Sequence, residues 1–299
     1  MDVSQINNDD LDIDLPNAKP SNSRFYLLSK IPDNKFLKQS AIIIFLFLYG
    51  LMPVFSQTSN FIESNGVKTH YLEWGNGENT IVLIHGLSDT AEIWKDLAVI
   101  LAKHHRIIAP DRRGTGKSEK PSANYDTQTL AADVEKLLEA LKIKRAAVVG
   151  HSFGGNTALT LAAKSPDKIS SLILIEGGFW EKRVPTPLPE CSAPVSEDCL
   201  ISNFIQRGIN EYDPEKLYPK INVRTLLILG LPPQLNKTNL NDEEKTNKKF
   251  FDKAVGHINS TAKNKLKNAK SSVIKNAQHW VFIDQPEIVA GEIKKFIKN

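Results

Sequence analysis

Ser152 stands in Gly150-His151-Ser152-Phe153-Gly154, a Gly-x-Ser-x-Gly pentapeptide whose surroundings matter more than its letters. The apolar run Ala146 to Val149 before it reads as a buried strand, and Ala158, Leu159, Leu161, Ala162 and Ala163 after it are good helix formers. Strand, sharp turn, helix is the setting in which a serine is held above a sheet edge as a nucleophile. Glycines flank it where a Cβ would collide with the neighbouring elements. A neutral serine attacks poorly at pH 7, so it needs a base within reach and an acid to orient that base. Among seven histidines, His279 has the right position, after the final strand and before the last helix. His151 is expected to point away from Ser152, and His85 to shape its own turn. An oxyanion formed by attack needs two N–H donors. Phe153, next after the serine, supplies one and Leu87, after His85-Gly86, the other.

Positioning these groups takes alternating strands and helices. Phe61-Ile62 and Val67 to Trp74 alternate as antiparallel strands, and Thr80 to Ile84 and Arg106 to Ala109 read as buried strands. Ile93, Leu97 and Leu101 space one helix, and Leu130, Val134, Leu137, Leu138 and Leu141 form the apolar stripe of another. After the serine come strands at Ile169 to Ile175, Val223 to Leu229 and Ser272 to Ile274. A helix from about Glu243 to Lys267 turns Phe250, Phe251, Val255 and Ile258 to one face. Asp284 is expected to cap the terminal helix, with Glu287 three residues on. Strands alternating with helices imply a mostly parallel sheet covered on both faces. The proline-rich excursion at about 179–219 has one weak helical run, Leu200 to Ile209, and is where a lid would be built. Its Phe179, Trp180 and Phe204 are expected to touch substrate. The only two cysteines, Cys191 and Cys199, lie in it and are expected to close a small disulfide loop in an oxidising compartment.

The chain has 299 residues, 41% apolar and 24% charged, enough for one large domain. Residues 1–40 combine an acidic extension, too polar to order, with basic Arg24, Lys30, Lys35 and Lys38. The uncharged run 41–55 and Ser56 follow. Residues 41–56 thus read as the hydrophobic segment of a cleaved signal peptide, with a membrane anchor as the alternative. A spanning helix needs about 20 apolar residues, more than this run offers. The folded domain is expected over 57–299, secreted or periplasmic, with any transient membrane association made through 41–55. A net charge of +4 concerns solubility, and Lys263, Lys265, Lys267 and Lys270 lack interleaved aromatics, so no nucleic-acid partner is expected. Gly114-Thr-Gly-Lys-Ser118 is not a phosphate loop, because Asp111 stands where that motif needs glycine.

The His85-Gly86 turn, the Asp-x-Arg-Gly-x-Gly-x-Ser loop from Asp111 to Ser118, the serine turn and His279 before a helix together resemble a serine hydrolase of the α/β-hydrolase superfamily. The resemblance covers Phe61 to Asn299, and least of all the lid. It implies the α/β-hydrolase fold, a mostly parallel central sheet flanked by helices with a short lid insertion, and chemistry without metal or organic cofactor. Such proteins usually carry the triad acid just after the strand that ends here at Gly230, yet this chain continues Leu-Pro-Pro-Gln. Some members carry it after the preceding strand, the position of Glu176. Glu176 is therefore expected as the acid, with Asp242 and Asp252 as rivals. Members that open epoxides or displace halide use an aspartate nucleophile. Ser152 implies instead ester hydrolysis through an acyl-enzyme, on a small-molecule substrate with a small to medium apolar acyl group. The alternatives are an aminopeptidase or amidase, a lactonase, and a non-catalytic binding descendant.

Overall fold

The computed structural model describes residues 56–180, 185–191, 196–236 and 239–298; the expected acidic extension, basic segment and signal or anchor run lie outside the described residues. Eight strands form one sheet: β1 (Thr58–Ser64), β2 (Val67–Trp74), β3 (Thr80–Ile84), β4 (Arg106–Pro110), β5 (Ala146–His151), β6 (Ile169–Ile175), β7 (Thr225–Leu231) and β8 (Ala269–Lys275). Their order across the sheet is β1-β2-β4-β3-β5-β6-β7-β8. β2 runs antiparallel to β1 and β4, and every other neighbouring pair is parallel. This is the α/β-hydrolase fold.

The sheet separates two apolar layers, and single strands feed both. Ile81 and Leu83 of β3 join one, Val82 and Ile84 the other, as the two-residue strand period requires. One layer is closed by α2 (Thr127–Ala140) and α3 (Phe153–Lys164), through Ala131, Val134, Leu138, Ala158 and Leu161. The other is closed by α1 (Lys95–Leu101) and by the last helix, through Leu97, Leu101, Val289, Ile293 and Phe296. Burial on both faces explains why these strands read as apolar runs rather than alternating ones. Because β4 lies on one side of β3 and β5 on the other, the connections diverge there, and a crevice opens at the carboxyl ends of β3 and β5. The turns carrying Leu87 and Ser152 leave from those two ends.

Four expectations are corrected. Asp284 does not cap the final helix: it ends a single turn, Val281–Asp284, and its Oδ2 accepts from Gln278 N at 2.7 Å. Pro286 opens that helix instead, since proline at the first helical position gives up an N–H that would have no partner. The helix expected to reach Lys267 ends at Ser260 and passes into a π turn, Thr261–Lys265, before β8. β8 begins at Ala269 rather than Ser272 because it pairs with the whole of β7, from Thr225 to Leu231. As a half-exposed edge strand with a polar first half, it carried no apolar signal there. The weak helical run of the lid segment is a longer helix, Glu197–Glu211, started by Ser196, whose Oγ accepts from Cys199 N at 3.2 Å. Among the described residues, no helix is long and apolar enough to cross a membrane.

Candidate active site

Ser152 sits between β5 and α3 at φ 51° and ψ −121°, a conformation costing of order 1–3 kcal/mol for a residue with a side chain. Close packing enforces it. A Cβ on Gly150 would strike the Gly154 carbonyl, and one on Gly154 would strike the Ile84 carbonyl of the next strand. Ser152 N donates to Ile175 O at 2.9 Å, tying the turn to the end of β6. Phe153 is the first residue of α3, so its N–H has no acceptor within the helix.

Glu176 follows β6 directly and is also held at positive φ, 53°. Its Oε1 accepts from Gly230 N at 2.6 Å, and its Oε2 lies 3.7 Å from His279 Nδ1. The strand end without a carboxylate of its own thus supplies the N–H that holds the carboxylate of its neighbour. Gly230 has a second duty, because a Cβ there would lie 2.6 Å from Gln278 O, in the loop that carries His279. His279 is further anchored through its backbone: its carbonyl accepts from His151 Nε2 at 2.9 Å. Burial, and then the nearby His279, push His151 down to about 3, so it is neutral and carries its proton on Nε2. Asp89, from the loop after β3, accepts from the Trp280 side chain and faces His279 electrostatically; burial raises its pKa.

Ser152, Glu176 and His279 line one cavity of about 670 Å³, together with Leu87 and Phe153. Its walls are Trp180, Tyr212 and Leu229, with Ile209 from α4 (Glu197–Glu211) and Phe250, Phe251 and Ala254 from α5 (Asp242–Ser260). Asn156 and Gln278 are its polar points, and none of the described lining residues is a lysine or arginine. Of the three residues expected to touch substrate, only Trp180 does line the cavity. Phe179 is fully buried in the core, and Phe204 is half-buried on α4 away from the lining. Phe250 and Phe251, expected on one helix face with Val255 and Ile258, line the cavity, and Phe250 is 63% exposed. The rival acids are remote: Asp242 and Asp252 are exposed on α5 and paired with Lys245 and Lys248 at 2.9 and 2.8 Å. Cys191 is joined to Cys199, in the first turn of α4, with Cα atoms 5.8 Å apart.

A second Ser–His–Asp chain lies elsewhere. Ser59 Oγ is 2.8 Å from His70 Nε2, and His70 Nδ1 is 2.7 Å from Asp111 Oδ2. Ser59 lies on the edge strand β1, outside the cavity, and Asp111 also accepts from Ala91 N and Lys117 N at 2.7 and 2.9 Å. Asp111 is a structural hub that ties β2, the segment after β3 and its own loop together. Hydrogen-bond order alone therefore does not make a catalytic site; the strained turn and the cavity shared with His279 and Glu176 distinguish Ser152.

The fold is that of the α/β hydrolases, and a family model described as "alpha/beta hydrolase fold" matches residues 79–195 of the chain. An uncharacterized protein of Mycobacterium tuberculosis is 34% identical over 143 residues, 48% of this chain and 42% of its own. The chain thus spans less than half the length of that relative. A soluble epoxide hydrolase of Corynebacterium sp. is 24% identical over 78% of this chain and 94% of its own. Among solved structures, the enol-lactonase of Burkholderia xenovorans LB400 superimposes with a TM-score of 0.64, at 22% identity, over 80% of this chain and all of its own. The two relatives with named activities, an epoxide hydrolase and an enol-lactonase, act on different bonds.

Proposed function

We propose that the protein is a serine hydrolase that cleaves uncharged carboxylic esters, lactones included, through an acyl-enzyme on Ser152. The observation that carries the reading is the meeting of Ser152, His279 and Glu176 at one apolar cavity whose floor also holds Leu87 and Phe153. His279 takes the Ser152 Oγ proton as that oxygen attacks the acyl carbonyl, and Glu176 steadies the imidazolium that results. The oxyanion is received by the N–H groups of Leu87 and Phe153, and the alcohol leaves with the proton from His279. Water then attacks the acyl group by the same route in reverse and restores Ser152.

The absence of lysine and arginine from the described lining favours neutral acyl groups, since a substrate carboxylate would be desolvated there without a partner. An aminopeptidase reading is disfavoured for the matching reason. Glu176 is the one carboxylate in the described lining, and its Oε1 is already bound to Gly230. A serine nucleophile also departs from the aspartate expected of epoxide opening. The enol-lactonase likeness is one of fold, and lactones enter the proposal because a cyclic ester needs the same machinery.

The test is turnover of p-nitrophenyl esters of increasing chain length, alongside an anionic succinyl ester and fluorophosphonate labelling. Hydrolysis should improve from acetyl to mid-length chains, the succinyl ester should lag, and Ser152→Ala should lose at least about 10³-fold in kcat together with all labelling. A Ser152→Ala protein retaining a tenth of the parent rate, or a parent that resists the probe, would sink the proposal.

A further inference from the structure

The peptide unit joining Gly86 to Leu87 presents two groups in opposite directions, because the C=O and N–H of a trans peptide are antiparallel. Its N–H belongs to Leu87, one of the two donors invoked above. Its oxygen, Gly86 O, is held by two donors at once: His85 Nδ1 at 2.8 Å and Arg112 Nη2 at 2.7 Å. The state of His85 is fixed from behind, since its Nε2 accepts from Arg112 N at 3.1 Å and its proton must then be on Nδ1. Burial drives His85 well below the ordinary histidine range, so it stays neutral. This peptide also lies directly against the serine: a Cβ on Gly86 would be 3.3 Å from Ser152 Cβ.

Arg112 also touches the side chain of Phe153, the residue that carries the second donor. Its guanidinium lies 5.1 Å from the centroid of the Phe153 ring, and only 7% of the residue is exposed. Burial lowers its pKa to about 10, which leaves it a full cation at neutral pH. Its Nε is buried without a hydrogen-bond partner among the described residues. A guanidinium kept dry with one N–H unsatisfied is a poor choice for a loop staple, which a neutral donor would serve at lower desolvation cost. The neighbouring Arg113 shows the contrast, with its guanidinium forked onto both oxygens of Asp133, whereas Arg112 has Asp89 only as a nearby charge and spends its hydrogen bond on the Gly86 carbonyl. Arg113 fills the Arg position of the Asp-x-Arg-Gly-x-Gly-x-Ser loop; Arg112 fills a variable one.

We propose that Arg112 is a positioning residue for the oxyanion hole: by gripping the Gly86 carbonyl it aims the Leu87 N–H into the cavity, and it puts a buried positive charge behind that peptide. The tetrahedral intermediate is an anion and feels this charge in a low-dielectric setting, whereas the neutral ester barely does. The hydrogen bonds at the carbonyl also polarise the peptide and strengthen its N–H as a donor. Arg112 therefore acts on the transition state more than on substrate binding. The idea rests on the Ser152 reading, and its test separates the two.

The variants are Arg112→Met, Arg112→Gln and Arg112→Lys, measured for kcat and KM on a p-nitrophenyl ester, for inhibition by an alkyl boronic acid, and for Tm. The boronate adds to the serine oxygen and becomes a tetrahedral anion, so it reports the oxyanion site without turnover. Arg112→Met should lose about 10- to 100-fold in kcat, less than the 10²–10³ for deleting a donor outright, with KM within about threefold. Boronate affinity should fall by the same factor as kcat, and Arg112→Lys, which keeps the charge, should recover more of both than Arg112→Gln. A parent enzyme insensitive to boronate and probe alike would refute the serine mechanism instead. A folded Arg112→Met with parental boronate affinity overturns the proposal, as do Lys and Gln variants of equal boronate affinity. Loss of fold in all three variants overturns it too, by making Arg112 structural.

Discussion

Glu176 divides its two oxygens between a fixed partner and a moving one. Oε1 is committed to Gly230 N at 2.6 Å, while Oε2 stands 3.7 Å from His279 Nδ1, too far for a hydrogen bond at rest. In the proposed reaction His279 takes the serine proton, and the contact then becomes charge-assisted and has reason to shorten. Glu176→Gln keeps the shape and the acceptor for Gly230 but turns an NH₂ toward His279, which forces the unproductive tautomer. We expect kcat to fall by about 10² or more, as loss of an orienting carboxylate does in serine proteases. Asp242→Asn and Asp252→Asn, on exposed side chains of α5, should stay within severalfold of the parent. Steady-state kinetics of the three variants decides it; a crippled Asp242→Asn beside an active Glu176→Gln would move the acid to the later segment.

At the level of elements, what was legible in the sequence is what a short stretch encodes by itself. Ser152 announces its turn through Gly150 and Gly154, and β3, β5, β6 and β7 announce themselves as apolar runs because both sheet faces are covered. His279 was legible from its place before the last helix. Phe250 and Phe251 were not, because a helix over a cavity mouth has the same apolar periodicity as one over a core. Asp89 and Arg112 come from two different loops and meet only through the sheet order, which puts β4 and β3 side by side. Asp284 misled because a carboxylate near a helix start looks like a cap, while Pro286 had already settled where that helix begins. The Cys191–Cys199 link ties the segment before α4 to its first turn. Thiol labelling of the unfolded chain should add no mass before reduction and two labels after it. Closing a loop this short is worth about 2–3 kcal/mol of chain entropy, so the reduced protein should be cut faster by protease within 185–200. Two labels without reductant would show the cysteines to be free.

Three buried histidines, His85, His105 and His151, are held below the ordinary histidine range chiefly by burial, and they shape the response of the whole molecule to acid. His151 is held near 3 against an ordinary 6.5, chiefly by burial, and His85 is lowered in the same direction for the same reason. Below pH 6.5 the unfolded chain therefore binds protons that the folded chain refuses. Stability present above that pH is lost as pH falls toward 3, by about 1.4 kcal/mol per pH unit for each histidine fully in this window. The urea midpoint should accordingly be flat near neutrality and drop below pH 6.5. His151→Gln can still donate to the His279 carbonyl but does not titrate, so its midpoint should fall less steeply between pH 6.5 and 5. Parallel curves for variant and parent would mean that His151 does not resist protonation.

The cavity walls and the sheet edge come from different stretches of chain. Ser152, Leu87 and Glu176 all lie within residues 79–195, the part that matches the superfamily, whereas α4 and α5 lie wholly beyond it. Inheritance can act on the two stretches separately. Exchanges at Ile209, Phe250, Phe251 or Ala254 alter what fits against the wall without touching the backbone that strains the serine. Sequence change in the second stretch can thus reshape the cavity wall while the sheet edge that carries Ser152 stands still, so likeness over the first stretch speaks for the sheet edge rather than for a substrate.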